Sequence, residues 1–84
     1  MHVEFLGIPR ERAGLSEVQI EARTLGQLLE RLAERFPSFG DLMTPGGLHS
    51  SLAANLNGEL FVSDLTTALT DDDHLLILSA DVGG

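Results

Sequence analysis

Apolar residues along the chain follow first a strand period and then a helix period. Residues 2–8 are rich in apolar side chains and are followed by Pro9, which is typical of a first strand. Residues 10–14 are charged and end in glycine, so they are predicted to form a turn. Residues 17–21 alternate polar and apolar side chains, which predicts a half-buried second strand. The two strands are therefore expected to form a hairpin.

The clearest helix follows Thr24. Thr24 and Gln27 have the spacing of a capping box, and Pro37 ends the helical pattern. The apolar positions recur at helical spacing and comprise Leu25, Leu28, Leu29, Leu32 and Phe36. Such a stripe usually packs against the rest of the domain, so we assign it to the core.

The middle of the chain is punctuated by glycine and proline. Residues 38–51 are therefore predicted to form a short helical turn followed by a loop. After it, the apolar runs 52–56 and 60–62 flank Asn57-Gly58-Glu59. Asn-Gly between two apolar runs is a strong hairpin signal, so a second hairpin is predicted here.

The end of the chain predicts a central strand and a tail. Residues 65–69 could form a short helical turn, and residues 70–73, a threonine followed by three aspartates, are predicted to form a solvated turn. Residues 75–78 are all apolar, as in a strand covered on both faces. The prediction is therefore an α+β fold in a single domain, residues 1–84, with a flexible C-terminal Gly-Gly tail at about residues 79–84.

Composition narrows the possible functions. The chain has 84 residues, 43% of them hydrophobic and none of them cysteine, which fits one globular domain without disulfides or thiolate chemistry. Its net charge of −8 repels phosphate backbones and anionic lipids, so neither nucleic acid nor a membrane is an expected partner. No signal peptide or membrane-spanning run is apparent, and a cytoplasmic location is the default expectation.

Histidines and serines offer little catalytic chemistry. His2, His49 and His74 are far apart in sequence and are predicted to be ordinary surface or turn residues. Ser50 and Ser51 lack the flanking glycines of a nucleophile elbow. Neither a hydrolase nor a helix-borne metal site is therefore expected.

Two further patterns do not match ligand motifs. Residues 71–73 are three adjacent acids and lack the alternating ligand positions of a calcium loop. Gly40, Gly46 and Gly47 do not have phosphate-loop spacing, and the chain contains no lysine to contact a phosphate. Nucleotide binding by this chain alone is therefore not expected.

The sequence ends in Gly83-Gly84. Glycine has no Cβ, so a Gly-Gly carboxylate can pass through a narrow channel into the active site of another enzyme. ATP can activate such a carboxylate as an acyl-adenylate, and sulfur can then displace the nucleotide to leave a thiocarboxylate.

Several segments resemble the MoaD/ThiS family of ubiquitin-like sulfur carriers. They are residues 5–11 (Phe-Leu-Gly-Ile-Pro-Arg-Glu), Asn57-Gly58-Glu59, residues 76–78 and the Val-Gly-Gly end. The resemblance covers essentially the whole chain and is greatest to small subunits of molybdopterin synthase. It implies a ubiquitin-like β-grasp, a mixed sheet packed on one main helix, in a protein that is not catalytic alone. It also implies that Gly84 bears the thiocarboxylate and that Gly83 keeps the tail slim.

The resemblance also implies partners. They are an adenylating enzyme of the ubiquitin-activating type, a sulfurtransferase, and the large subunit of molybdopterin synthase or another sulfur-accepting enzyme. No tightly bound cofactor is implied, because ATP is used by the activating partner. By alternation alone, Leu60, Phe61 and Leu76 are candidates for the partner interface.

Alternatives remain open within and beyond this family. Residues 45–49 (Pro-Gly-Gly-Leu-His) resemble the longer loop of carriers that deliver sulfur for cysteine synthesis. Thiamin synthesis and tRNA thiolation are other possible destinations of the sulfur. The same activated end could instead modify lysines of other proteins, or the glycines could be incidental in a plain binding module.

Overall fold

The computed structural model describes residues 1–80. In chain order, its elements are β1 (His2–Phe5), α1 (Ile8–Ala13), β2 (Glu17–Gln19), α2 (Leu25–Arg35), a 3-10 helix (Pro37–Leu42), β3 (Met43–Thr44), β4 (Gly47–Leu48), β5 (Leu52–Leu56), β6 (Leu60–Phe61) and β7 (His74–Ser79).

Five of the strands form one mixed sheet in the order β2-β1-β7-β5-β6. β1 and β7 are parallel, whereas the other neighbouring pairs are antiparallel. The leucine stripe of α2 is buried with the inward-facing residues of the sheet, among them Val3, Phe5, Ala54, Leu75 and Ile77. A mixed sheet packed on one main helix is the predicted β-grasp, which is confirmed. Within residues 1–80, no helix is long and apolar enough to cross a membrane.

The start of α2 is capped as predicted, with one difference. Thr24 Oγ1 accepts a hydrogen bond from the Gln27 N–H at 3.1 Å. Gln27 Oε1 reaches back to the N–H of Arg23 at 2.7 Å, one residue before the N-cap. The first bond satisfies a backbone donor that the first turn leaves without a helical partner, and the second ties the residue before the N-cap to the helix.

The predicted turn at residues 10–14 is wrong, because the helix α1 occupies most of it. Gly7 has a φ of 73° and redirects the chain after β1, and Pro9 lies in the first turn of α1, where its missing N–H costs nothing. Gly14 ends the helix in a left-handed conformation, and its N–H donates to the carbonyl of Arg10. The first strand is correspondingly shorter than predicted and ends at Phe5.

The middle of the chain agrees in part with the prediction. The 3-10 helix provides the helical turn, but the following segment is a small two-stranded ribbon of β3 and β4 rather than a loop. The second hairpin is confirmed, since β5 and β6 pair and both Asn57 and Gly58 have positive φ angles. Residues 65–69 contain a turn and an isolated bridge from Ala68 to Thr24 rather than a helical segment.

The acidic turn before β7 is held by Asp73. Its carboxylate accepts hydrogen bonds from Asn57 Nδ2 at 3.0 Å and from the Thr70 N–H at 2.7 Å. These bonds favour the charged form and lower the pKa of Asp73 below its ordinary value. The turn at residues 70–73 is thereby tied to the hairpin loop beside it.

β7 is central, as predicted, but longer than residues 75–78. Ser79 is a buried strand residue that pairs with Leu52, so the predicted tail does not begin at residue 79. Leu75 and Ile77 are fully buried, whereas Leu76 and Leu78 on the other face are only half-buried. The strand is therefore covered on one face rather than on two.

Candidate functional site

The last described residues of the chain are anchored to two parts of the fold. The Ala80 N–H donates to the Ser51 carbonyl at 2.7 Å. Ser79 lies beside Gly7, where an added Cβ would come within 3.1 Å of the Ser79 Oγ. The chain is thus fixed up to Ala80. The predicted site residues Gly83 and Gly84 follow closely in sequence but lie outside the described residues.

Within residues 1–80, four large apolar side chains are exposed, in two places. Leu60 and Phe61 lie on the edge strand β6 and are 59% and 66% exposed. Leu6 and Ile8 are also exposed and lie where β1 gives way to α1, and the Leu6 N–H donates to the Ile77 carbonyl of β7. Leu6 and Ile8 thus lie near the C-terminal end of β7. The sequence analysis did not predict that Leu6 and Ile8 are exposed, because it placed both within the first strand.

The three predicted interface residues do not share one face. Asn55 is the strand partner of both Phe61 and Leu76, so these two lie on the sheet face away from α2. Leu60 aligns with Leu56 and Leu75 on the face toward the helix and is exposed because β6 is at the edge. Of the three, only Phe61 and Leu76 therefore lie on the open face of the sheet, the face away from α2.

Two of the histidines, which the sequence predicted to be ordinary surface or turn residues, come together on that open face. The rings of His2 and His74 have centroids 4.6 Å apart. His2 Nε2 lies 3.1 Å from Glu17 Oε2, and His74 Nε2 lies 3.1 Å from Glu4 Oε1. Ligand atoms of His2, Glu4 and His74 lie within 4.8 Å of one another. Only the parallel pairing of the first and last strands brings these residues together.

The third histidine closes a turn. His49 Nδ1 lies 2.9 Å from Ser51 Oγ and also accepts the Ser51 backbone N–H at 3.1 Å. Among the described residues, the ring is hydrogen-bonded to Ser51 alone, and no carboxylate orients it as a catalytic base. The contact spans two residues and is exposed, as expected of a turn.

Comparison with known proteins supports the predicted family. The sequence model of the ThiS family matches residues 3–84, a range that includes Gly83 and Gly84. No curated protein sequence matches the chain.

Solved structures with the same fold cover nearly the whole chain. SAMP1 from Haloferax volcanii is 24% identical with a TM-score of 0.81 and matches over 100% of this chain and 98% of its own. CysO from Mycobacterium tuberculosis is 29% identical with a TM-score of 0.80, over 94% and 97%. A putative molybdopterin converting factor subunit 1 from Pyrococcus furiosus is 25% identical with a TM-score of 0.76, over 93% of each chain.

The β-grasp topology and the family match over almost the entire length agree with each other. The chain therefore belongs to the ThiS family of ubiquitin-like sulfur-carrier proteins.

Proposed function

We propose that the chain carries sulfur as a thiocarboxylate on Gly84, with Gly83 keeping the end narrow enough to enter partner enzymes. The observation that carries this proposal is that the family match extends to the last residue and so includes the Gly-Gly end. The central strand β7 supports it, because that strand leads directly toward this end from the middle of the sheet.

The proposed chemistry takes place in partner enzymes. A carboxylate oxygen of Gly84 attacks the α-phosphorus of ATP, which forms an acyl-adenylate and releases pyrophosphate. Hydrosulfide then attacks the acyl carbon, the C–S bond forms, and AMP leaves with the electron pair of the broken C–O bond. If a sulfurtransferase persulfide is the donor, a thiol must afterwards reduce the S–S bond. The adenylating enzyme supplies the ATP site, and the domain supplies the carboxylate.

The folded domain acts in this proposal as the part that partners recognise. Leu6 and Ile8 lie near the C-terminal end of β7, and Phe61 lies on the same sheet, so an enzyme that binds Leu6 and Ile8 contacts the domain beside the end of the strand that precedes the Gly-Gly end in the chain. The net charge of −8 favours a basic docking surface and speeds encounter at low salt.

Intact-mass spectrometry tests the sulfur-carrier proposal. We expect the untagged chain, incubated with its adenylating enzyme, ATP and sulfide, to gain about 16 mass units, the difference between sulfur and oxygen. Omitting ATP should prevent the gain. If the chain never gains this mass with an active enzyme, the proposal is wrong. Larger adducts joined through Gly84 to lysines would instead identify a protein modifier.

For the acceptor, we propose the large subunit of molybdopterin synthase. The name of the Pyrococcus neighbour, a putative molybdopterin converting factor subunit, supports this choice. The same thiocarboxylated chain should then return to its original mass when mixed with the large subunit and its sulfur-free pterin substrate. Loss of sulfur only to a cysteine-forming enzyme would favour the alternative suggested by residues 45–49.

Phe61→Ser is expected to weaken docking to the adenylating enzyme about tenfold, because it removes an exposed aromatic anchor. The KM of the enzyme for the carrier measures this effect. Glu34→Ser is the matched control, since Glu34 is exposed on α2 on the other side of the domain. Equal KM values for the two variants would show that β6 is not part of the interface.

A further inference from the structure

We propose that His2, Glu4, Glu17 and His74 bind a divalent transition-metal ion, with zinc the best fit, on the sheet face away from α2. This site goes beyond the sulfur chemistry. It lies at the start of β7, whereas the Gly-Gly end follows the other end of that strand. The two ends of this six-residue strand are roughly 17 Å apart.

The backbone itself places the four side chains on one face. His2 and Glu4 are two residues apart on β1, so they point to the same side of the sheet. His74 is the parallel partner of His2 on β7, and Glu17 is the antiparallel partner of Glu4 on β2. Three adjacent strands thus contribute two imidazoles and two carboxylates.

The side-chain geometry is close to that of a metal site. The ligand atoms of His2, Glu4 and His74 already lie within 4.8 Å of one another, and Glu17 Oε2 is 3.1 Å from His2 Nε2. Ligand atoms around a tetrahedral zinc lie about 3.4 Å apart. All four side chains are partly exposed, so they are free to rotate toward a common ion, Glu17 from its present contact with His2.

Charge also favours a cation here. Glu4 and Glu17 face each other directly on neighbouring strands, and like charges in this position destabilise a sheet. The whole chain carries −8, which adds to the attraction for a divalent ion. A bound metal would replace repulsion between the two carboxylates with a shared positive partner.

Gln19 can orient one of the ligands. The amide nitrogen of Gln19 lies 2.9 Å from His2 Nδ1. If the amide group is turned over, its oxygen takes the place of the nitrogen and can accept a hydrogen bond from a protonated Nδ1. That hydrogen bond would leave Nε2 free for the metal, as outer ligands commonly do at histidine metal sites. Two imidazoles suit zinc, copper or nickel, whereas calcium and magnesium require a set made of oxygens.

Thermal denaturation of the full, untagged chain with zinc chloride or with EDTA tests the site. A ligand present at about 100 times its Kd should raise the Tm of a domain of this size by roughly 10 to 20 °C. We expect this rise in the unaltered chain and in His49→Gln, the matched control at the histidine outside the cluster. His74→Gln and Glu4→Gln should lose most of it. Equal zinc responses in His74→Gln and His49→Gln would overturn the proposal.

Cobalt substitution provides a second measurement. One Co²⁺ per chain should give the visible absorption of a tetrahedral N/O site, and zinc should displace it. Binding of half an equivalent of Co²⁺ per chain, together with a dimer in size-exclusion chromatography, would mean that the ion bridges two molecules. That result would contradict a metal site formed within one chain. Deleting Gly84 should leave cobalt binding unchanged, so the metal proposal can fail or succeed independently of the sulfur proposal.

Discussion

Deleting Gly84 is expected to lower the rate of thiocarboxylate formation by at least about a hundredfold while leaving the Tm unchanged. The shortened chain still ends in a carboxylate, but that group stops about 3.5 Å short of the reacting phosphorus when the domain is docked in the same place. A misplacement of even about 1 Å at a reacting centre can cost a hundredfold in rate.

Single-turnover kinetics followed by intact mass would measure this loss. The Tm should be preserved because residues 1–80 form the five-stranded sheet and the core described above. Gly84→Ala keeps the chain length and tests the width of the partner's channel, where the added Cβ should slow the reaction less than the deletion does. A deletion variant activated at the normal rate would contradict the assignment of Gly84.

Leu28→Ala is expected to cost about 2 to 5 kcal/mol of folding stability. Leu28 is fully buried on α2 and belongs to the core between the helix and the sheet, so its truncation leaves a cavity. Domains of this kind are stable by only about 5 to 15 kcal/mol, and the Tm should fall by roughly 10 to 30 °C. Urea denaturation provides the free energy of unfolding directly.

Leu60→Ala is the matched control, because it removes the same atoms from a side chain that is 59% exposed. Its stability should change by less than about 0.5 kcal/mol. Similar losses in both variants would mean that α2 does not pack on the sheet as the structure has it.

The sequence identified the elements that have strong local signals. The leucine stripe of α2, the Thr24 cap and the Asn57-Gly58 turn each depend on neighbouring residues, and all three are confirmed. The central position of β7 could also be inferred, since a continuous apolar run suits the middle of a sheet.

The first helix could not be recognised in the same way. Among its six residues, α1 buries only Pro9, so no apolar period distinguishes it from a charged turn. Its ends are defined by the positive φ angles of Gly7 and Gly14, and a glycine in sequence does not reveal which backbone conformation it adopts.

The histidine cluster was missed for a different reason. His2 and His74 are at opposite ends of the sequence, and their contact requires both the parallel pairing of β1 with β7 and its register. A shift of one residue would place the two rings on opposite faces. Period and spacing carry no information about such a long-range register.

The position of β7 has a consequence for biosynthesis. Of the strands within residues 1–80, this one is made last, yet it joins β1 to β5 and supplies Leu75 and Ile77 to the core. While those residues are still inside the ribosome, the first strand has no parallel partner and the five-stranded sheet cannot form, so folding must wait until β7 has been made. A nascent chain, or one truncated before β7, therefore cannot present a folded domain to a partner enzyme, so the strand order itself keeps incomplete chains from being recognised.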